Sequence, residues 1–305
     1  MSLSPSPAPE PDPADVLRTI GWAADKPPAR ITAGWDTLLW RFEREGKAYA
    51  LRLFRAHSAP ERLAEVADAE EVAMIAVRRA GLPAPRIEAR GTFADAPLFV
   101  LEWRAGERML DSGQKRPWRI GQLSRNFGRM QARLHSLPPP AGLRTYDGAW
   151  MEANVGHRGL VAALTADGRY DALCHLDYHP LNVLVSGTRM SGLLDFSNTA
   201  VSDRRADLAF TKTALLAVPL PHDWKRPILQ QVRKFVAREW ENGYRAEAGD
   251  FPLTPAFEAL GIWHYVGEVE RAVAEGRGWA DEQDLAPLRA YRAARLRDAG
   301  LDDHG

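Results

Sequence analysis

The stretch His175-Leu176-Asp177-Tyr178-His179-Pro180-Leu181-Asn182-Val183-Leu184-Val185, followed by Ser191-Gly192-Leu193-Leu194-Asp195-Phe196, decides how this chain is read. Val183 to Val185 and Ser191 to Leu194 are short apolar runs separated by Ser186-Gly187-Thr188, so they are expected to pair as a hairpin. The open end of that hairpin then holds both Asn182 and Asp195. An amide oxygen and a carboxylate facing one point suit Mg²⁺, which takes a few protein oxygens and completes its shell with phosphate oxygens and water. Asp177 projects from the preceding loop toward the same place, where it can accept a proton from an attacking hydroxyl. His175 and His179 are better suited to bracing that loop by hydrogen bonds than to catalysis. Taken singly, an Asp or Asn beside a turn is ordinarily a cap or an Asx-turn; the ordered set is what points to chemistry.

Upstream the pattern has period two. Leu38, Trp40 and Phe42 share one face, Glu45-Gly46-Lys47 turns the chain, and Tyr49, Leu51 and Leu53 alternate with Ala50 and Arg52. Ser58-Ala59-Pro60-Glu61 reads as a helix start and Gly81 with Pro83 as its end. Strands are expected over Pro85 to Ala89 and Pro97 to Trp103. Beyond Gly106 the period becomes helical: Trp118, Ile120, Leu123, Phe127, Met130 and Leu134 form a stripe ending at Pro138, with further helices near 151–165, 206–217, 224–246, 254–275 and 284–298. The expectation is an α+β fold with two lobes. Residues 1–14 form a Pro-rich, disordered leader, 15–103 a sheet lobe with one helix, and 104–305 a helical lobe, with a ligand cleft where the two meet.

Composition removes several function classes. The 305 residues are 45% hydrophobic and 26% charged, enough to bury a sizeable core. Lys plus Arg and Asp plus Glu both number 40, so no net field draws the protein to nucleic acid or an anionic membrane. One cysteine, Cys174, excludes an intrachain disulfide framework, and no uncharged apolar run reaches membrane-spanning length. A cytoplasmic protein is expected.

His175 to Asn182 with Asp195, and the trailing Asp203-Arg204-Arg205-Ala206-Asp207-Leu208-Ala209, resemble the catalytic and metal segments of the aminoglycoside phosphotransferase and choline kinase family. The resemblance covers roughly residues 31–210. It implies a protein-kinase-like fold and transfer of the γ-phosphoryl group of ATP or GTP, with Mg²⁺, to a hydroxyl of a small molecule. It further implies Asp177 as catalytic base, Asn182 and Asp195 as metal ligands, and Asp207 as a brace for the loop; a plain N-terminal helix cap before Leu208 is the other reading of Asp207.

On the nucleotide side, Tyr49-Ala50-Leu51-Arg52 takes the place of the kinase V-A-I-K strand, with Arg52 gripping phosphate oxygens in place of Lys. Glu70 lies on the helical stripe of Leu63, Val66, Ala73, Met74 and Val77, where an unpaired carboxylate is costly, and Arg52 is its natural partner. Glu71 is the second choice for that pairing. Gly34 is the single glycine of a weak phosphate loop, and Leu101-Glu102-Trp103 would be the connector that offers backbone groups to the adenine edge, although these residues also suit the plain end of a strand. Asp195-Phe196-Ser197 lacks the glycine of D-F-G and no A-P-E segment follows, which disfavours a protein kinase. The rival is a nucleotide-binding pseudokinase. Trp263, His264 and Glu268, with Trp240 and Tyr265, are candidates for the acceptor pocket, although a tryptophan at helical spacing is more often core. The near balance of acids and bases in the C-terminal third lowers the case for a polycationic acceptor.

Overall fold

A computed structural model of the chain describes residues 10–31, 37–55, 60–220, 223–276 and 280–302. It divides into two compact units, Met1–Glu71 with Pro85–Arg104, and Val72–Ala84 with Ala105–Gly305. One division falls after Arg104, and the second half of one helix, with the loop after it, is grouped with the later residues.

In the first unit, the Asp12 carboxylate accepts from the Ala14 amide and starts α1 (Pro13–Arg18). Glu10 pairs with Arg30, so residues 10–14 of the expected leader are ordered, and its residues 1–9 lie outside the described residues. The sheet is built from β1 (Ala29–Ile31), β2 (Thr37–Arg44), β3 (Lys47–Phe54), then, after α2 (Pro60–Arg79), β4 (Ile87–Phe93) and β5 (Ala96–Glu102). All pairings are antiparallel, in the order β1-β2-β3-β5-β4. Glu45 and Gly46 both have positive φ (52° and 70°), the twist a two-residue hairpin turn between β2 and β3 needs. Leu38, Trp40, Phe42, Leu51 and Leu53 form one buried face with Val16 and Leu17 of α1, as the alternation predicts. The Ser58 helix start and the Gly34 loop lie outside the described residues.

The second unit adds β6 (Glu107–Arg108), α3 (Met109–Lys115), α4 (Ile120–His135), β7 (Thr145–Tyr146), α5 (Gly148–Asn154), α6 (Arg158–Thr165), β8 (Ala172–Cys174), β9 (Val183–Ser186), β10 (Arg189–Leu193), β11 (Ala200–Ser202), α7 (Arg204–Ala217), α8 (Arg226–Ala248), α9 (Pro255–Ala274) and α10 (Glu282–Asp298). Two small sheets, β10-β9-β6 and β7-β11-β8, interrupt the helices. Helices α4 and α8 approach backbone to backbone. A Cβ at Gly128 would lie 2.0 Å from the Trp240 carbonyl oxygen, and one at Gly243 would lie 2.0 Å from that of Arg125. Only glycine fits there.

Two expectations need correction. Trp118 is not part of the buried α4 stripe: it sits in a 3₁₀ turn (Pro117–Arg119) ahead of the helix and is 76% exposed. The helix expected near 151–165 is two helices, because Gly156 (φ 70°) breaks the chain and His157 caps α6 by accepting from the Leu160 amide. Trp240 is core, fully buried, with its indole N–H donating to Gln131, the reading favoured for a tryptophan at helical spacing.

Candidate active site

Strand β8 ends at Cys174 and the chain enters the loop through His175 and Leu176, the latter held at φ 60°. A leucine adopts that left-handed conformation only under constraint. The constraint is Asp207. Its carboxylate, fully buried in the first turn of α7, accepts from the Leu176 amide at 2.6 Å, the His175 amide at 3.4 Å, Gln131 Nε2 at 3.2 Å and His135 Nε2 at 2.8 Å. Burial alone would raise the Asp207 pKa, but the hydrogen bond from His135 and the other partners outweigh it and hold the carboxyl below its ordinary range. The helix cap is Asp203, which accepts from the Arg205 amide, so the cap reading of Asp207 is set aside.

The same buried layer fixes the next residue. Tyr178 stacks on Phe127 with centroids 4.3 Å apart and donates its hydroxyl to the Phe127 carbonyl, while Thr211 donates to the Tyr178 carbonyl. Gln131 and His135 were not anticipated. Their signal was available: two polar residues one helical turn apart within the apolar stripe of Phe127, Met130 and Leu134, the same kind of anomaly that singled out Glu70.

With the loop anchored, Asp177, Asn182 and Asp195 come together. Asn182 Nδ2 donates to the Asp177 carboxylate at 2.8 Å and to its carbonyl at 3.1 Å, which leaves the amide oxygen Oδ1 turned away. Strands β9 and β10 pair in the expected hairpin, Val183 opposite Leu193, and the Leu194 amide bonds the Asn182 carbonyl at 2.9 Å. Asn182 and Asp195 therefore flank the mouth of one hairpin. Asp195 sits at φ 62° and accepts from the Ser197 hydroxyl at 2.8 Å. His175 donates Nε2–H to the Leu194 carbonyl at 3.0 Å, tying the loop to the hairpin. His179 lies with Nε2 3.2 Å from Asp177 Oδ1. Burial disfavours its charged form, but the hydrogen bond and the charge of Asp177 prevail and raise its pKa.

In the first unit Arg52 and Glu70 form a buried ion pair, 7% and 1% exposed. Glu71 instead bonds Arg90 at 2.6 Å, so the preferred pairing holds and the second choice does not. Leu101 and Glu102 pair with Ala50 and Tyr49 of β3, the Glu102 carboxylate accepts from the Arg86 amide, and the Trp103 amide bonds the Ala48 carbonyl.

Trp263, His264 and Glu268 share helix α9. Trp263 and His264 line a groove of about 130 Å³ with Trp150, Phe210, Gly267 and Arg271. Glu268 pairs with Arg271 at 2.5 Å and lies 4.0 Å from His264. Tyr265 turns away from the groove and packs on a separate core of Ile262, Val266 and Leu288.

Residues 29–170 and 157–249 match the Phosphotransferase enzyme family. The chain belongs to that family. No curated protein sequence matches it. Among solved structures, the phosphotransferase is similar to a thermostable mutant of aminoglycoside phosphotransferase APH(4)-Ia in ternary complex with ADP and hygromycin B (TM-score 0.59, 14% identity, 93% of this chain and 97% of that one). Spectinomycin phosphotransferase APH(9)-Ia, in complex with ADP and spectinomycin, gives a TM-score of 0.52 at 14% identity over 93% and 91%. A protein of Haemophilus somnus 129PT named as a candidate fructosamine-3-kinase gives 0.56 at 11% identity over 93% and 97%. These likenesses establish the kinase-like α+β fold. By family the chain is thus a phosphotransferase enzyme. No described helix is long and apolar enough to cross a membrane.

Proposed function

We propose that this phosphotransferase transfers the γ-phosphoryl group of ATP or GTP, as its Mg²⁺ complex, to an alcohol, with Asp177 as catalytic base and Asn182 and Asp195 as metal ligands. The observation that supports the reading is that Asn182, hydrogen-bonded to Asp177, and Asp195 flank one hairpin mouth beside a loop pinned by the buried Asp207. Asp177 is 36% exposed while its neighbours are fixed, so it is free to meet an incoming hydroxyl and orient its oxygen toward phosphorus.

The donor set fits Mg²⁺. The Asn182 amide is committed through its nitrogen, leaving a carbonyl oxygen, and Asp195 supplies a carboxylate; both are hard oxygen donors. When bound, such an ion would neutralise phosphate charge during transfer. Arg52, oriented by Glu70, is the proposed phosphate-gripping residue, with Gly34 and Leu101 to Trp103 completing the nucleotide site. The ADP complexes of the two antibiotic phosphotransferases support a nucleotide donor. His175, His179 and Asp207 hold the loop, Trp263, His264 and Glu268 belong to the acceptor side, and the enzyme works in the cytoplasm.

Asp177→Asn tests this reading. The variant should lose acceptor-dependent ADP release by about 10²-fold or more while its affinity for Mg-nucleotide changes little. Full turnover in the variant would remove Asp177 as the base; absence of turnover in the wild type across all hydroxylated acceptors, with nucleotide binding retained, would favour the pseudokinase.

A further inference from the structure

The groove on α9 carries an inference about the acceptor that rests on the reading above. Three aromatic side chains and one imidazole form its walls, and each is fixed by a neighbour. Trp150 stacks on Tyr146 at 4.1 Å, Phe210 stacks on His264 at 4.7 Å, and Trp263 donates its indole N–H to the Val155 carbonyl at 2.7 Å while the Arg292 guanidinium covers its ring at 4.8 Å. Such pre-set aromatic faces bury apolar area without paying to order themselves.

The groove offers no unpaired carboxylate in its lining. Its lining contains no Asp or Glu; its titratable members are His264 and Arg271. Glu268, one turn from His264, is taken up by Arg271 at 2.5 Å. Burial, with the charge of Arg271, holds the His264 imidazole below its ordinary pKa despite the charges of Glu268 and Asp177. A polyamine placed here would meet flat apolar walls, and the carboxylate beside the groove, that of Glu268, is already engaged by Arg271.

The groove also adjoins the catalytic loop. Leu176, the residue before Asp177, is buried in the same cluster as Leu260, and Phe210 and Trp263 pack against that cluster. An acceptor with its ring in the groove therefore extends toward Asp177.

We infer that the acceptor is an uncharged alcohol bearing a flat or apolar ring, seated between Trp150, Phe210 and Trp263, and not a polycationic aminoglycoside. The size agrees: a cavity of ~150 Å³ takes one benzene ring, and this groove measures about 130 Å³. Gly267 opens the floor, since a Cβ there would meet nothing within 4 Å.

The test is binding to the full chain. 4-Nitrophenyl β-D-glucopyranoside and uridine serve as neutral ring-bearing probes and kanamycin A as the polycation, each titrated by ligand-detected NMR into wild type, Gly267→Leu and Gly267→Ala. A neutral probe should bind more tightly than kanamycin, lose about tenfold or more with Gly267→Leu, which fills the floor, and be little changed by Gly267→Ala. Both variants improve helix propensity at an open position, so neither should lower the melting temperature. Tighter binding of kanamycin, no binding of either neutral probe, or unchanged affinity in Gly267→Leu would each overturn the inference. Repeating the titration in Asp177→Asn separates the two readings: loss of turnover with binding retained upholds the base assignment, whereas full turnover in that variant removes the assignment and leaves the groove's preference to be judged by binding alone.

Discussion

Removing Asp207 should damage the catalytic loop more than removing any residue that meets substrate. Asp207→Ala strands four buried donors, the amides of Leu176 and His175 and the side chains of Gln131 and His135. Each buried donor left without a partner costs about 1–3 kcal/mol, partly offset where the Leu176 backbone relaxes from its left-handed conformation. A net loss of about 4 kcal/mol is expected, a large part of the ~5–15 kcal/mol that holds a typical domain together. Urea unfolding should show a lower midpoint with an unchanged slope, and phosphoryl transfer should fall with it because Asp177 is no longer positioned. Asp207→Asn, which keeps the shape and one acceptor oxygen, should lose less. The pH dependence has a definite sign. Because the folded Asp207 pKa lies below its ordinary 3.8, its contribution is present above that value and is lost as pH falls through the lower folded value. The stability gap between wild type and Asp207→Asn should therefore be full at neutral pH and shrink in acid. A wild-type midpoint for Asp207→Ala, or a gap that grows on acidification, would refute the argument.

Three further outcomes are expected. Arg52→Ala and Glu70→Ala each leave a buried charge unpaired and should cost on the order of 3 kcal/mol, while the double variant should cost clearly less than the sum, read by thermal unfolding and nucleotide titration; strict additivity would mean the pair does not interact. Gly243→Ala should destabilise by about 1–3 kcal/mol in urea unfolding, because its methyl would collide with the Arg125 backbone and α4 and α8 would have to separate. Trp118→Ser, at a ring 76% exposed, should shift stability by no more than about 0.5 kcal/mol; a loss of core-residue size would restore Trp118 to the α4 stripe.

Much of this protein was legible in order along the chain. Period-two alternation marked β2 and β3, and the spacing from His175 to Asp195 placed Asp177, Asn182 and the hairpin, because both signals are local: side chains on a strand alternate by geometry, and a short hairpin brings together residues already close in sequence. Glu70 was legible by contradiction, since a carboxylate on an apolar stripe demands a partner, and Arg52 was the cation at hand. Trp118 failed because a helical stripe continues on paper past the point where Pro117 and a 3₁₀ turn swing the ring into water. The single helix expected near 151–165 failed because apolar spacing does not register the positive φ at Gly156. Tertiary structure alone decided what Asp207 does. A cap and a buried brace share the same local sequence, and they are separated only when α4, 72 residues earlier at His135, and β8 deliver their donors to the same carboxylate. It also decided which tryptophans are core and which are wall: Trp240 and Trp263 both sit in helices with apolar neighbours, but α8 buries Trp240 against α4 whereas α9 leaves Trp263 at the edge of a groove, and that choice depends on what each helix packs against.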